Sequence, residues 1–121
     1  MPAVVLVSVE PLAYREAIAG ALRLLRPGVA VAEAARADRD AAIARLRPAL
    51  VVCNGAAAAG AAAVWLQLYP GGGDGALLVE AGRARRVAAP GLDGLVALVD
   101  RAAARGPSPA AGRPGGGAPG P

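Results

Sequence analysis

The apolar positions change their period in a regular way along the chain. Residues 3–7 form a continuous apolar run, the pattern of a strand buried on both faces. Pro11 suits the first turn of a helix. Tyr14, Ile18, Leu22 and Leu25 then recur at helical spacing, with Arg15, Glu16, Arg23 and Arg26 on the other side. Pro27 and Gly28 stop that helix, and Val29 and Val31 mark a second short strand. Asp38 is placed to cap a second helix carrying Ala42, Ile43 and Leu46, which Pro48 ends. Residues 49–53 read as a third buried strand. An Ala-rich helix is expected next, anchored by Val64, Trp65 and Leu68 and broken by Tyr69, Pro70 and three glycines. Residues 76–80 read as a fourth strand. The following link has room for a turn at Gly82 but not for a helix, so residues 86–89 are expected to pair antiparallel with it. Leu92, Leu95, Val96 and Val99 share one face of a last helix ending near Arg105.

The resulting order, βαβαβαββα, implies an α/β domain whose sheet is covered by helices on both sides and joined by right-handed crossovers. That domain spans residues 1–105. Residues 106–121 contain six Gly and five Pro and no large apolar group. Nothing there offsets the entropy of ordering, so a disordered tail is expected.

Composition narrows the chemistry more than the fold. Of 121 residues, 33 are Ala, and the large aliphatic side chains number 29 with no Phe beside them, enough for one modest core. There is no His, Lys or Thr. Cys53 and Ser8 are the candidate nucleophiles, and neither has a His or Lys to activate it, so no catalytic residue is expected. A transition-metal site built on His or several Cys is excluded by count, and no cofactor is expected. A carboxylate Mg²⁺ site stays open. Gly55 to Gly60 has the glycine spacing of a P-loop but lacks the Lys and the Ser or Thr that hold phosphates and Mg²⁺. Nucleotide hydrolysis is thereby set aside, although a helix starting at Gly55 could still attract an anion. Trp65 and Tyr69 are expected to share a helix face and to serve the core.

All 13 basic residues are Arg, against nine acids, for a formal charge of +4. Their one cluster is Arg83, Arg85 and Arg86. A solvated face is favoured there over a phosphate-binding patch. Nucleic-acid binding is disfavoured, because 2% aromatic residues leave no stacking platform. One Cys cannot form an internal disulfide. The uncharged stretch between Arg47 and Asp74 is mostly Ala and Gly, with too few large apolar groups for a membrane span. No leader peptide is recognised in the first residues. A soluble, cytoplasmic protein is expected, with no membrane association.

The strand ends carry a family likeness. The segment Val5-Leu6-Val7-Ser8-Val9-Glu10-Pro11 is similar to the first strand and acidic turn of the receiver domain of bacterial response regulators. Leu50-Val51-Val52-Cys53-Asn54 resembles the third strand, which in that family delivers the phosphate-accepting Asp. Val87-Ala88-Ala89-Pro90 resembles the fifth strand and its Lys-Pro end. The resemblance implies a flavodoxin/receiver-like fold, three-layered with a mainly parallel sheet. It would be shortened by loss of the fourth helix, with the last two strands as a hairpin. It also implies that the phosphorylation pocket is degenerate. Ser8 and Val9 stand where two acids would hold Mg²⁺, leaving Glu10. Asn54 stands for the phosphoacceptor and Ala89 for the lysine. Neither Glu80 nor Ala81 supplies the switch hydroxyl.

An amide is not a nucleophile towards phosphoryl donors, so neither phosphorylation nor a phosphate-driven switch is expected. The resemblance points to a non-catalytic module in bacterial signalling or regulation. It would dock to an unidentified protein partner through a fixed surface, with residues 83–86 as a candidate. The alternative is a small α/β protein that binds an anionic ligand at the Gly55 helix start, since fold does not imply function.

Overall fold

The structure, a computed structural model, describes residues 2–54, 64–69 and 73–105. The elements run β1 (Val4–Ser8), α1 (Leu12–Leu25), β2 (Ala30–Glu33), a 3₁₀ turn (Arg36–Asp38), α2 (Arg39–Leu46), β3 (Leu50–Asn54), β4 (Val64–Leu68), β5 (Ala76–Glu80), β6 (Arg83–Val87) and α3 (Leu92–Arg105). The six strands form one mixed α/β sheet in the order β2-β1-β3-β4-β5-β6. The first four run parallel, β5 is antiparallel to β4, and β6, antiparallel to β5, takes the direction of the first four again.

The apolar runs explain the centre of the sheet. β1, β3 and β4 are almost wholly buried, because helices or neighbouring chain cover both of their faces. Alternate residues point to opposite sides, and two core clusters result. Val5, Val7, Leu50, Val52, Val64 and Leu66 pack with Ala19 and Leu22 of α1 and Leu95, Leu98 and Val99 of α3. Leu6, Val51, Cys53 and Trp65 pack on the other face with Ala42 and Ile43 of α2. Arg26 clamps the end of α1 to α3 by two bonds to the Asp100 carboxylate, at 2.7 and 2.8 Å. That pairing raises the Arg26 pKa and lowers that of Asp100.

The structure corrects one expected element. Val64, Trp65 and Leu68 do not anchor a helix; they belong to β4, which pairs parallel with β3 from Leu50↔Val64 to Asn54↔Leu68. The run VWLQL is buried throughout. Five residues, four of them apolar, are too few for period alone to separate strand from helix, and a Val-Trp start favours the strand. Trp65 and Tyr69 therefore do not share a helix face. Tyr69 ends β4 with φ of 51°, and its N–H donates to the Gly75 carbonyl at 2.9 Å.

The expected last hairpin is present, with its second strand at Arg83–Val87 rather than at 86–89. Its two-residue turn, Ala81 and Gly82, has φ of 52° and 77°. Two positive φ values match the right-handed twist of a hairpin. The mixed sheet departs from the mainly parallel one expected, because β5 is antiparallel to β4 as well as to β6. The Gly55 helix start and the tail at 106–121 lie outside the described residues.

Candidate functional site

The candidate site lies at the carboxyl ends of β1 and β3, two adjacent parallel strands at the centre of the sheet. The carboxyl ends of the strands are the usual place for a ligand crevice in an open α/β sheet. β1 and β3 are in register, with Ser8 beside Cys53, so Ser8, Val9, Glu10 and Asn54 come together.

Asn54 is engaged at both ends of its amide by the chain itself. Its Oδ1 accepts from the Glu10 N–H at 3.0 Å, and its Nδ2 donates to the Glu10 carbonyl at 2.6 Å. The carboxamide imitates a strand rung and fastens the turn after β1 to the end of β3. Each such bond contributes on the order of 1 kcal/mol. The Glu10 carboxylate is also committed. Its Oε2 accepts from Arg15 Nη1 and from the Arg36 N–H, both at 3.3 Å. Val9 is buried in the core, and Ser8 is 1% exposed with no partner for its hydroxyl among the described residues. A phosphoryl group or Mg²⁺ at this point would have to displace the Asn54–Glu10 pair. Among the described residues, no group of three His, Cys, Asp or Glu is placed to hold a metal ion.

Ala89 stands apart from this group. It follows β6, and β4 and β5 separate β6 from β3. Three strand spacings put β6 roughly 14 Å from β3 in the plane of the sheet.

The arginine cluster occupies β6, an edge strand whose first four residues are exposed. The strand's alternation divides the three. Arg83 and Arg85 point to the α3 side, opposite Glu80 and Leu78 in the register, and Arg86 points to the α2 side, opposite Leu77. Glu80 is ringed by cations: Arg101 at 3.1 Å, Arg105 at 3.1 Å and Arg85 at 3.9 Å. One carboxylate facing three guanidinium groups leaves this corner net positive.

Sequence reasoning passed over two features. The first is Arg39, in the first turn of α2, which is 8% exposed. Its guanidinium carbon lies 5.8 Å from the centroid of the Trp65 ring. Its Nε and Nη1 have no hydrogen-bond partner among the described residues. Burial pushes the neighbouring Cys53 thiol from 9.0 up to about 11, while Arg39, the Trp65 indole and Arg36 pull the other way. No sequence signal marks Arg39, since an arginine on a helix normally keeps its head in water. The second is an apolar cleft of about 300 Å³ between α1 and α3, lined by Tyr14, Ile18, Leu68, Pro90 and Leu92 among others. Burial there, then the hydrogen bond and charge interaction with Tyr69, push the Tyr14 pKa from 10.0 to about 12.

Among the described residues, no helix is long and apolar enough to cross a membrane. No family model, curated protein or solved structure matches the chain.

Proposed function

We propose that the chain is a receiver-like binding module that has no phosphorylation chemistry and acts by protein–protein contact in bacterial signalling or regulation. The observation that carries this is the closed pair between Asn54 and the Glu10 backbone, at 3.0 and 2.6 Å. A phosphoacceptor has to present a free carboxylate beside a metal. Here the corresponding position presents an amide whose two ends are both used in holding the loop. The pocket works as a structural clamp, so docking does not depend on a phosphate switch. No residue in the group offers an activated nucleophile or base.

The docking surface in this reading is the β6 edge with its positive corner, and the matching partner carries an acidic face. Arg83 and Arg85, with Arg101 and Arg105 behind them, supply the charge that steers such a partner. The test is capture of a regulatory partner from the native host by the tagged full chain, with and without acetyl phosphate. Capture should be equal in both conditions. It should fall at least about tenfold in the Arg83→Ala, Arg85→Ala, Arg86→Ala triple variant, as expected when rim charges that steer binding are removed together. Capture that requires acetyl phosphate, or that ignores the triple variant, contradicts the reading.

A further inference from the structure

The β6 strand leaves one side of its backbone open. It is the last strand of the sheet among the described residues, and four of its five residues are exposed. In a two-residue hairpin the residues flanking the turn form a hydrogen-bonded pair, and such pairs then alternate along the ladder. The flanking pair here is Glu80 with Arg83, so the register repeats it at Leu78 with Arg85 and Ala76 with Val87. The N–H and C=O groups of Ala84 and Arg86 therefore point away from β5. They are rungs ready for a further strand.

Charge decides which strand fits. Arg83 and Arg85 project from one side of β6 and Arg86 from the other. Arg85 reaches Glu80 only at 3.9 Å, and Glu80 is already held by Arg101 and Arg105, each at 3.1 Å. Arg83 and Arg86 form no ion pair with a described residue. A second copy of β6 is a poor occupant. Paired antiparallel about the strand's centre, Arg85 would stand opposite its own copy, and like charges directly opposite are destabilising. Charges on an edge strand commonly serve to prevent such self-pairing. The same charges select an acidic strand.

We propose that β6 takes on a further strand: an extended acidic segment of the partner adds antiparallel to the edge at Ala84 and Arg86, with alternate carboxylates opposite Arg83 and Arg85. This rests on the β6 docking surface proposed above and specifies how the contact is made. Backbone hydrogen bonds hold the segment, and the arginines choose it.

The probe is a blocked, fluorescently labelled peptide of alternating Glu and Thr, followed by anisotropy with the full chain at low salt. Saturable binding is expected. N-methylating the peptide backbone keeps every carboxylate and removes every N–H donor. It should weaken binding at least about tenfold, the scale of two lost hydrogen bonds. Ala84→Pro removes one outward N–H and leaves the bonds to β5 in place, as proline on an edge strand can. It should weaken binding at least about fivefold. Amide exchange followed by NMR reads the register: the peptide should slow Ala84 and Arg86, and leave Arg85, already bonded to β5, little changed. Binding that the Arg83→Ala, Arg85→Ala, Arg86→Ala variant loses, but that N-methylation and Ala84→Pro leave intact, overturns strand addition while the acidic docking surface stands. Absence of binding by the unmethylated peptide also overturns strand addition, and partner capture with the triple variant then judges the docking surface separately.

Discussion

The two faces of the sheet are built on different principles. The face covered by α1 and α3 is a continuous apolar core, in which Val5, Val7, Leu50, Val52, Leu66 and Val99 are each at most 1% exposed. The face covered by α2 has a smaller apolar cluster and buries Ser8, Arg39 and Gln67 beside it. The same strands contribute to both, one residue apart. Leu66 and Trp65 are neighbours on β4, yet one packs under α3 and the other lies under a guanidinium. One face supplies stability. The other gives some of it up to keep polar groups in place, as functional surfaces often do.

Opposite signs on opposite faces are the clearest way to break that contrast. Leu66→Ala, on the α3 side, should lose about 3 kcal/mol, since the cavity left behind cannot collapse in a packed sheet. Urea unfolding followed by circular dichroism would show the loss as a lower midpoint. Arg39→Met, on the α2 side, should gain about 1–2 kcal/mol, because it removes a buried charge with unpartnered donors while keeping the volume. If both variants lose stability to a similar degree, Arg39 is an ordinary packing residue and the contrast fails.

The thiol on the α2 face gives a weaker signal with a definite pH window. Burial holds the Cys53 pKa at about 11, above its ordinary 9.0. The folded state therefore keeps the proton more tightly than the unfolded state does. Its contribution is fully present below pH 9 and is lost as pH rises through about 11. Melting temperature should fall over that range, and Cys53→Ala should flatten the fall. Tyr14, raised to about 12, adds a further loss at the top of the range in both proteins. A variant that melts in parallel with the parent at every pH removes Cys53 from the explanation.

The smallest expected effect lies outside both clusters, in the β5–β6 turn. Ala81 sits at φ of 52°, a region that an alanine occupies at some strain. Asn adopts it more readily, so Ala81→Asn should gain about 0.5 kcal/mol, readable as a small rise in urea midpoint. No gain would place the turn strain elsewhere in the hairpin.

The same contrast separates what was legible in the sequence from what was not. β1, β3, α1 and α3 follow from local rules: continuous apolar runs for the buried strands, and Tyr14, Ile18 and Leu22 or Leu95 and Val99 at helical spacing. The hairpin of β5 and β6 follows from a link too short for a helix. β4 does not, because Val64–Leu68 comes straight after an alanine run and is too short to show a period of its own. That misreading also hid the α2 face. With Trp65 placed on a helix, nothing suggested that it would lie beneath Arg39. The pairing of Asn54 with Glu10 spans 44 positions and depends on how the turn after β1 folds back, which no local pattern encodes. The residues of the strand-end group were identifiable from the sequence; their mutual closure was not.

The closure of Asn54 by Glu10 is the central claim about function, and one experiment addresses it directly. The full chain is incubated with acetyl phosphate and Mg²⁺, and its intact mass is measured over time beside a phosphorylatable control protein. The expected result is an unchanged mass for this chain while the control gains a phosphoryl group. A stable phosphoryl adduct on this chain would contradict the claim.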